Sequence, residues 1–573
     1  MSAQGRPKRE FGLRCLPAGD SAVLAELGSL DETLALFQAL VGAWPAGVED
    51  VIPAARTLLV LFSPTVLSAR DVTAWLQRVA ATQTQAGPSG PRGGAGQTAA
   101  VRRVEIPVRY AGEDLEAVAS LIRMTRAELI ERHTGSDYLA AFAGFAPGFV
   151  YLAGGDPCFH GVPRHAMPRV RVPGGSVAVA GDFSAVYPSD SPGGWQLLGE
   201  TPWRMWDMER AEPALVQPGF RVRFRDLDAP GVTVSLPAAK TNPPAPPVAD
   251  VAASVAAAAC EVLDAGLQTL IQDAGRPGLT RLGVSRSGAL DRQSMHRANQ
   301  LVGNPSDSPV LEHALGGLRL LCRGRAVMAV TGATAPVVVT SASGIRLPAA
   351  AGHPIVLNEG DELRIGRVRA GVRCYVAVQG AWAVPAVLGS CATDVLAGMG
   401  PAPLKRGDRV LIGPPMAPGA DSAAPAFGAT EVSRAEDRVT FDVVLGPRDD
   451  WFDADTVHRL VSQDWVVTPQ SNRVGMRLAG DKPLVRARQG ELPSEGTVAG
   501  ALQVPPSGQP VLFLADHPLT GGYPVIAVVL STQLDRLAQM PVGARLRFRP
   551  VTDPLPSPAS GTELQRPCLS RSD

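Results

Sequence analysis

Two widely separated stretches of this chain end in the same way, and a chain that repeats itself has few folds open to it. "VPGGSVAVAGDFSAVYPSDSPGGWQLLGET", starting at Val172, carries Gly193-Gly194-Trp195, and "VPPSGQPVLFLADHPLTGGYPVIAVV", starting at Val504, carries Gly521-Gly522-Tyr523. Each opens on a Val-Pro turn, and each is followed by a strand-like segment, "GFRVRFR" from Gly219 and "GARLRFR" from Gly543. Two further segments, "GDELRIG" from Gly360 and "GDRVLIG" from Gly407, read as closing strands of the same kind. An ordered series of this sort predicts duplicated β-barrel modules. The second stretch also raises a chemical question, because "LADHPLTGGYP" sets Asp516, His517 and Thr520 beside a double glycine between two apolar runs. Glycine pairs weaken a strand, so the backbone there either turns tightly or approaches something closely.

Composition agrees with many short strands. Of 573 residues, 60 are Gly and 52 are Pro, while aromatics make up only 5%. That balance favours strands joined by turns over long helices. The length predicts three to four domains (roughly 150 residues each). Charges are even, 54 basic against 54 acidic, with no run of either sign. Neither a nucleic-acid footprint nor a polybasic membrane anchor is expected. The uncharged run from Ala326 to Ile345 contains Pro336 and two glycines, so it reads as two strands and a turn, not a membrane span. "MSAQGRPKRE" leads into no apolar signal core, and seven scattered cysteines form no C-x-x-C pair. A cytoplasmic protein with neither zinc knuckle nor disulfide framework is the expectation.

Composition breaks divide the chain. A polar tail (1–10) precedes a small α/β domain (11–81), in which "SLDETLALFQALV" offers Ser29 or Asp31 as a helix N-cap and "SARDVTAWLQRVAAT" gives a second amphipathic helix around the strand "ARTLLVLF". A Gly/Gln/Pro-rich linker (82–100) leads to a unit at 101–236, which opens with the strand "RVEIPVRY" and a helix or helix pair. A Pro/Ala-rich spacer (237–259) precedes a larger unit (260–552) with a weaker break at 414–430, and a Pro/Ser-rich tail (553–573) reads as disordered.

Several polar clusters sit on turns. In "RHAMPRVRVPGGS", Arg164, Arg169 and Arg171 lie beside Gly174-Gly175-Ser176, whose amides can form an anion-binding concavity. His165 in the same loop reads as exposed. Asp190, Ser191, Gly193 and Gly194 of "YPSDSPGGWQ" either orient a ligand amide or form a polar hairpin over a core Trp195. In "FAPGFVYL", Gly148 either makes a turn or lets a flat substrate lie on backbone amides. Gln272, Asp273 and Arg276 of "QDAGRPG" form a dense polar turn. Ser285, Ser287 and Asp291 follow, with Ser287 or Asp291 as candidate caps for the helix "DRQSMHRANQLV". Glu312 and His313 are adjacent, so on a strand they face opposite ways. Arg473 and Arg477 of "SNRVGMR", and Ser494-Glu495 of "LPSEGTV", are either ligand contacts or a buried Arg-Glu pair. The histidines show no metal-ligand spacing, and no triad can be assigned from order alone.

The same stretches carry a family resemblance. "FAGFAPGFVYLAGG", "PRHAMPRVRVPGGSVAVAG" and "YPSDSPGGWQLLGET" resemble the first-subunit family of allophanate hydrolase, which includes the B component of the bacterial 5-oxoprolinase and the Kip-type kinase inhibitor. "GLQTLIQDAGRPGLTRLGVSRSGALDRQSMHRANQLVGN", "LEHALGG", "SNRVGMRLAG" and "LADHPLTGGYP" resemble the second-subunit family, which includes the C component of 5-oxoprolinase. Together they resemble the carboxyltransferase part of urea amidolyase. The resemblance implies a mainly β chain of tandem cyclophilin-like barrels behind a small α/β domain. It implies an ATP-dependent opening of 5-oxo-L-proline to L-glutamate, with Mg2+ accompanying ATP and the third 5-oxoprolinase subunit as a separate chain. Transfer of a carboxyl group from biotin to urea or a related amide, and non-enzymatic regulation of a histidine kinase, are the alternatives. No biotin-acceptor Met-Lys-Met and no G-x-x-x-x-G-K-[ST] loop occur, so covalent biotin is not expected and ATP would need another cradle. Asp516, His517 and Asp273 are the catalytic candidates, and His517→Ala is expected to lower turnover without unfolding the chain. Homo-oligomers are plausible for barrels with many strand edges.

Overall fold

The computed structural model describes residues 12–85, 102–165, 167–230, 258–415 and 428–551. Both predicted tails, and most of the linker and spacer, lie outside these residues. The linker begins later than expected, because the second helix runs Ala69–Gln85, and the spacer ends earlier, because a strand starts at Ala258.

The N-terminal domain is an antiparallel sheet of Arg14–Pro17, Ala22–Glu26, Thr57–Phe62 and Val48–Pro53, in that order. Ser29 caps the helix Leu30–Leu40 by accepting from Glu32 N at 3.2 Å. Leu36, Phe37 and Leu40 of this helix, and Val72, Trp75 and Leu76 of the second, bury themselves with Val23 and Val60.

The duplication is real and goes deeper than the glycines. In the first barrel the strand order is Gln196–Glu200, Ser176–Ala180, Phe183–Val186, Val150–Gly154, Tyr138–Ala143, Arg221–Asp226, Arg103–Val108. Its ends almost meet: Arg109 and Glu200 exchange backbone hydrogen bonds of 2.8 and 3.0 Å. The C-terminal barrel is closed, and its order is Val525–Val529, Ala501–Gln503, Val511–Phe513, Gly475–Ala479, Trp465–Val467, Arg545–Pro550, Arg438–Leu445. In both, the Arg-x-Arg-Phe-Arg strand pairs parallel with the opening strand, Arg221 with Arg103 and Arg545 with Arg438. Each barrel also carries a short ribbon leading into the Gly-Gly-aromatic turn, Arg169–Val172 with Ser191–Gly193 and Glu495–Gly496 with Thr520–Gly521.

Two expected echoes do not survive. Val172-Pro173 precedes Ser176–Ala180, whereas Val504-Pro505 follows Ala501–Gln503, although those two strands occupy the same place. A Val-Pro step marks any passage from extended chain to turn, so it is a weak register mark. "GDELRIG" and "GDRVLIG" do form strands, Glu362–Ile365 and Arg409–Ile412, but every pairing they make is antiparallel. They belong to a central module of a seven-stranded and a five-stranded sheet that enclose Cys260, Val262, Leu311, Leu320, Met328 and Val376. The uncharged run beginning at Ala326 supplies two of its strands, Ala326–Thr334 and Val337–Thr340, as expected. Asp291, not Ser287, caps the helix Arg292–Leu301, accepting from Ser294 N at 2.9 Å.

Candidate functional site

A cleft of about 420 Å³ opens where three units meet. The first barrel contributes Asp190, Ser191 and Pro192, the central module Val395 and Leu396, and the C-terminal barrel Asn472, Arg473 and Val474. Among the described residues the Ser191 hydroxyl has no hydrogen-bond partner. Asn472 spends its Oδ1 on the amides of Val474 and Gly475, at 2.9 and 3.2 Å, which leaves its amide donors for the cleft.

The cleft stands on a buried charge hub. Arg473 is 1% exposed and forks onto Asp516, Nε to Oδ2 at 2.9 Å and Nη2 to Oδ1 at 3.0 Å. Its Nη1 donates to Glu312 and its Nη2 also to the Gly288 carbonyl. Asp516 further accepts from the Ser287 hydroxyl at 2.6 Å and from Val395 N at 3.0 Å. Four donors fill a carboxylate that offers about four lone-pair positions. Asp516, proposed from the sequence as a catalytic group, therefore anchors the cleft and has no oxygen to spare as a base. Glu312 receives Leu290 N at 3.0 Å and the Tyr375 hydroxyl at 2.9 Å, with Arg373 at 3.5 Å. Burial opposes ionisation of Glu312, but the two arginines outweigh it and hold its pKa below the usual carboxylate value. Burial likewise opposes the charge on Arg473, and Asp516 and Glu312 reverse it, raising the arginine's pKa. Ser287 holds φ at +54°, a conformation costly for a non-glycine residue and kept here by the hub.

One acidic residue next to the cleft was not legible in the sequence. Asp394 accepts the amides of Leu396 and Ala397 at 3.0 and 2.9 Å and the Ser285 hydroxyl at 3.0 Å. Burial, and secondarily the charge of Asp516, pushes its carboxyl up to about 6. The only signal was "CATDVLAG", a polar loop without any motif.

The remaining candidates divide cleanly. Asp273 is clamped by Gly275 N, the Ser390 hydroxyl and Cys391 N, at 2.8, 2.6 and 2.6 Å, so it holds the 390–399 loop in place of doing chemistry. Arg276 grips the same loop through the Ala392 carbonyl and the turn before it through Val387, and Gln272 holds the loop through Thr393 at 2.8 Å. His517 stacks on Phe513 and sets Nδ1 at 2.9 Å from the Pro518 carbonyl, and burial lowers its pKa. Arg477 is exposed on the strand Gly475–Ala479. The expected concavity at Gly174-Gly175-Ser176 has no free amide: these donate to Asp190, Tyr187 and Pro173. Arg171 pairs with Asp190 on the surface, and the Gly148 amide bonds to the Leu282 carbonyl of the central module. A Cβ on Gly193 would meet the Tyr187 hydroxyl at 2.2 Å, and Gly194 lies over the His165 carbonyl. His165 itself is half-buried, not exposed, with Nε2 at 3.1 Å from Asp114. Glu312 and His313 do face apart: His313 turns to the Thr269 hydroxyl at 2.8 Å.

Ser494 and Thr520 join the units. Tyr151 of the first barrel meets both hydroxyls at 3.2 Å, and Arg164 reaches Ser494 at 3.2 Å. Arg169 grips Asp114 at 2.7 and 2.9 Å, and Glu495 is gripped by Arg448 Nε at 2.9 Å to each oxygen. These two pairs are one feature with its signs exchanged. Arg169 and Glu495 stand opposite Gly193 and Gly521 on the ribbons, and their partners bond to equivalent residues, Asp114 to Leu197 N and Arg448 N to the Val525 carbonyl.

A carboxyltransferase-domain model for subdomains C and D matches residues 13–216, and that for subdomains A and B matches residues 282–550. The chain belongs to the carboxyltransferase-domain family. Within it, the C component of 5-oxoprolinase from Escherichia coli (strain K12) is 35% identical over 294 residues, 50% of this chain and 90% of that relative. The B component of 5-oxoprolinase from Escherichia coli O157:H7 is 35% identical over 220 residues, 37% of this chain and 94% of that relative. The crystal structure of TTHA0988 superimposes with a TM-score of 0.73 at 32% identity, covering 92% of this chain and 99% of that one. This carboxyltransferase-domain chain thus holds in one polypeptide counterparts of two separate proteins, and its cleft is lined from both.

Proposed function

We propose that this chain is the fused B–C component of an ATP-dependent 5-oxoprolinase and that the cleft between its halves receives the lactam. The observation that carries this reading is the shared lining: Ser191 comes from the B-like half, and Asn472 and Arg473 from the C-like half. A cleft of about 420 Å³ suits a small ring. A lactam is resonance-stabilised and resists water, and ATP supplies the phosphoryl group that turns its oxygen into a leaving group. The free Ser191 hydroxyl and the Asn472 amide orient the polar edge of the substrate. Asp394 Oδ2, beside Ser285 Oγ, is the atom suited to hold a proton near neutral pH. Arg473, its charge already matched by Asp516 and Glu312, fixes the floor of the cleft. Mg2+ would come with ATP, held chiefly by its phosphates. Hydrolysis of the activated lactam falls to the separate third subunit.

The test is ADP release by the purified chain with the third subunit, with and without 5-oxoproline. Substrate-dependent release is expected, lost in Ser191→Ala combined with Asn472→Ala. Biotin-dependent carboxyl transfer without ADP release, or tight kinase binding with neither activity, would replace this reading.

A further inference from the structure

The Gly521-Gly522-Tyr523 turn makes room for more than a hairpin. A Cβ on Gly522 would lie 2.1 Å from Arg164 Nη1, so the bare glycine is what lets an arginine of the first barrel lie on the turn of the last. On the next residue, Arg486 stands over the Tyr523 ring at 5.3 Å. Burial raises the pKa of the Tyr523 hydroxyl and keeps it neutral, and the nearby Arg164 and Arg486 charges offset only part of that rise. Each arginine has an unused donor: among the described residues, Nε of Arg164 and Nε of Arg486 are buried without a hydrogen-bond partner. Buried donors left unpaired are costly, and two converging on one tyrosine need a common explanation.

Glu491 supplies the clue. Its Oε1 accepts Arg164 N at 2.8 Å, while its Oε2 stops 3.7 Å from Arg164 Nε, an ion pair beyond hydrogen-bond reach. Its side chain is 46% exposed, so it can leave. Arg164 also bonds Ser494, and Arg486 donates to the Val504 carbonyl at 2.6 Å, so both are positioned before any ligand arrives. We propose that Arg164, Arg486 and Tyr523 form a phosphoryl-binding site at the junction of the two barrels, and that Glu491 holds the place of the anion until one binds. Planar guanidinium forks suit a tetrahedral oxyanion, and Tyr523 adds a neutral donor. The site is separate from the cleft at Arg473 and does not depend on which substrate the cleft takes.

Calorimetric titration of the full chain with inorganic phosphate, and separately with ADP, tests this without third subunit or lactam. The wild type should bind at least one of the two. Arg486→Met should weaken that binding tenfold or more, while its melting temperature stays near wild type, and Glu491→Gln should tighten binding several-fold. Loss of ADP binding in Arg486→Met assigns the phosphoryl group to a nucleotide. Loss of phosphate binding with ADP unaffected assigns it to free phosphate. Equal affinities of wild type and Arg486→Met, or no binding of either anion to the wild type, overturn the proposal.

Discussion

Arg473 is the residue on which the cleft depends most directly. Replacing it with Met leaves Asp516 buried without its cation and Glu312 with Arg373 alone, a change that costs about 3–5 kcal/mol in comparable sites. Urea unfolding of Arg473→Met should show a loss of that size. Arg473→Lys keeps the charge but not the fork onto Asp516, so it should retain more stability and still lose activity. Asp394 has the opposite character, since its folded-state pKa of about 6 lies above the ordinary 3.8. Between those values the folded chain holds the proton more tightly than the unfolded chain. The stabilisation is therefore full below about pH 4 and is lost as pH rises through 6. Asp394→Asn should flatten this window, removing a pH-dependent term on the order of 1–3 kcal/mol in unfolding measured from pH 4 to 7. Of these residues, sequence singled out Arg473, Asp516 and Ser287 but could not find Asp394, whose partners Ser285 and Asp516 converge only in the fold. It also read Asp516 as reactive, because saturation by four donors is a property of packing and not of spacing.

Strands and ribbons were easier to read than the contacts between them. Glycine turns and the Arg-x-Arg-Phe-Arg pattern are local, so both barrels and the run at Ala326 were legible. The antiparallel pairing of the central module was not, since nothing in "GDRVLIG" records the direction of its neighbours. The ion pair behind each ribbon was equally silent. Inverting one member in the first barrel, Arg169→Glu, sets two carboxylates together and should cost about 3–5 kcal/mol. Adding Asp114→Arg should recover part of it, a coupling that a double-mutant cycle reads directly. The same barrel carries an acid-sensitive point in His133, buried between the Tyr110 hydroxyl at 2.7 Å and Ser184 and stacked on Phe224. Burial lowers its pKa to about 3, so the unfolded chain takes up the proton first as pH falls below 6.5. Stability should fall by up to about 1.4 kcal/mol per pH unit from 6.5 downward through this residue alone. His133→Leu should abolish that slope in melting curves, whatever its effect at pH 7.

At the scale of the whole molecule, the units are bound by contacts that no single segment announces. Gly144 presses on the Thr520 side chain, Gly496 on Leu59, and Gly283 on the Ala146 carbonyl, so glycines mark where the four units touch. The exchanged signs at the two ribbons bear on how such a chain assembles. Two barrels with one strand order, in one polypeptide, can lend a ribbon to each other's frame while folding. If the 169–172 ribbon docked on the C-terminal frame, Arg169 would meet Arg448. If the 495–496 ribbon docked on the first, Glu495 would meet Asp114. Either error sets like charges together in a buried place, so each barrel repels the other's part. Giving the C-terminal barrel the polarity of the first, with Arg448→Asp and Glu495→Arg together and Glu26→Gln to remove the second carboxylate that Arg448 grips at 2.9 Å, keeps a pair at the ribbon but removes this discrimination. Refolding yield after dilution from urea should fall while the correctly folded fraction melts near the wild-type temperature. Polarity at one buried pair then acts as an address label, telling a self-similar chain which half each strand belongs to.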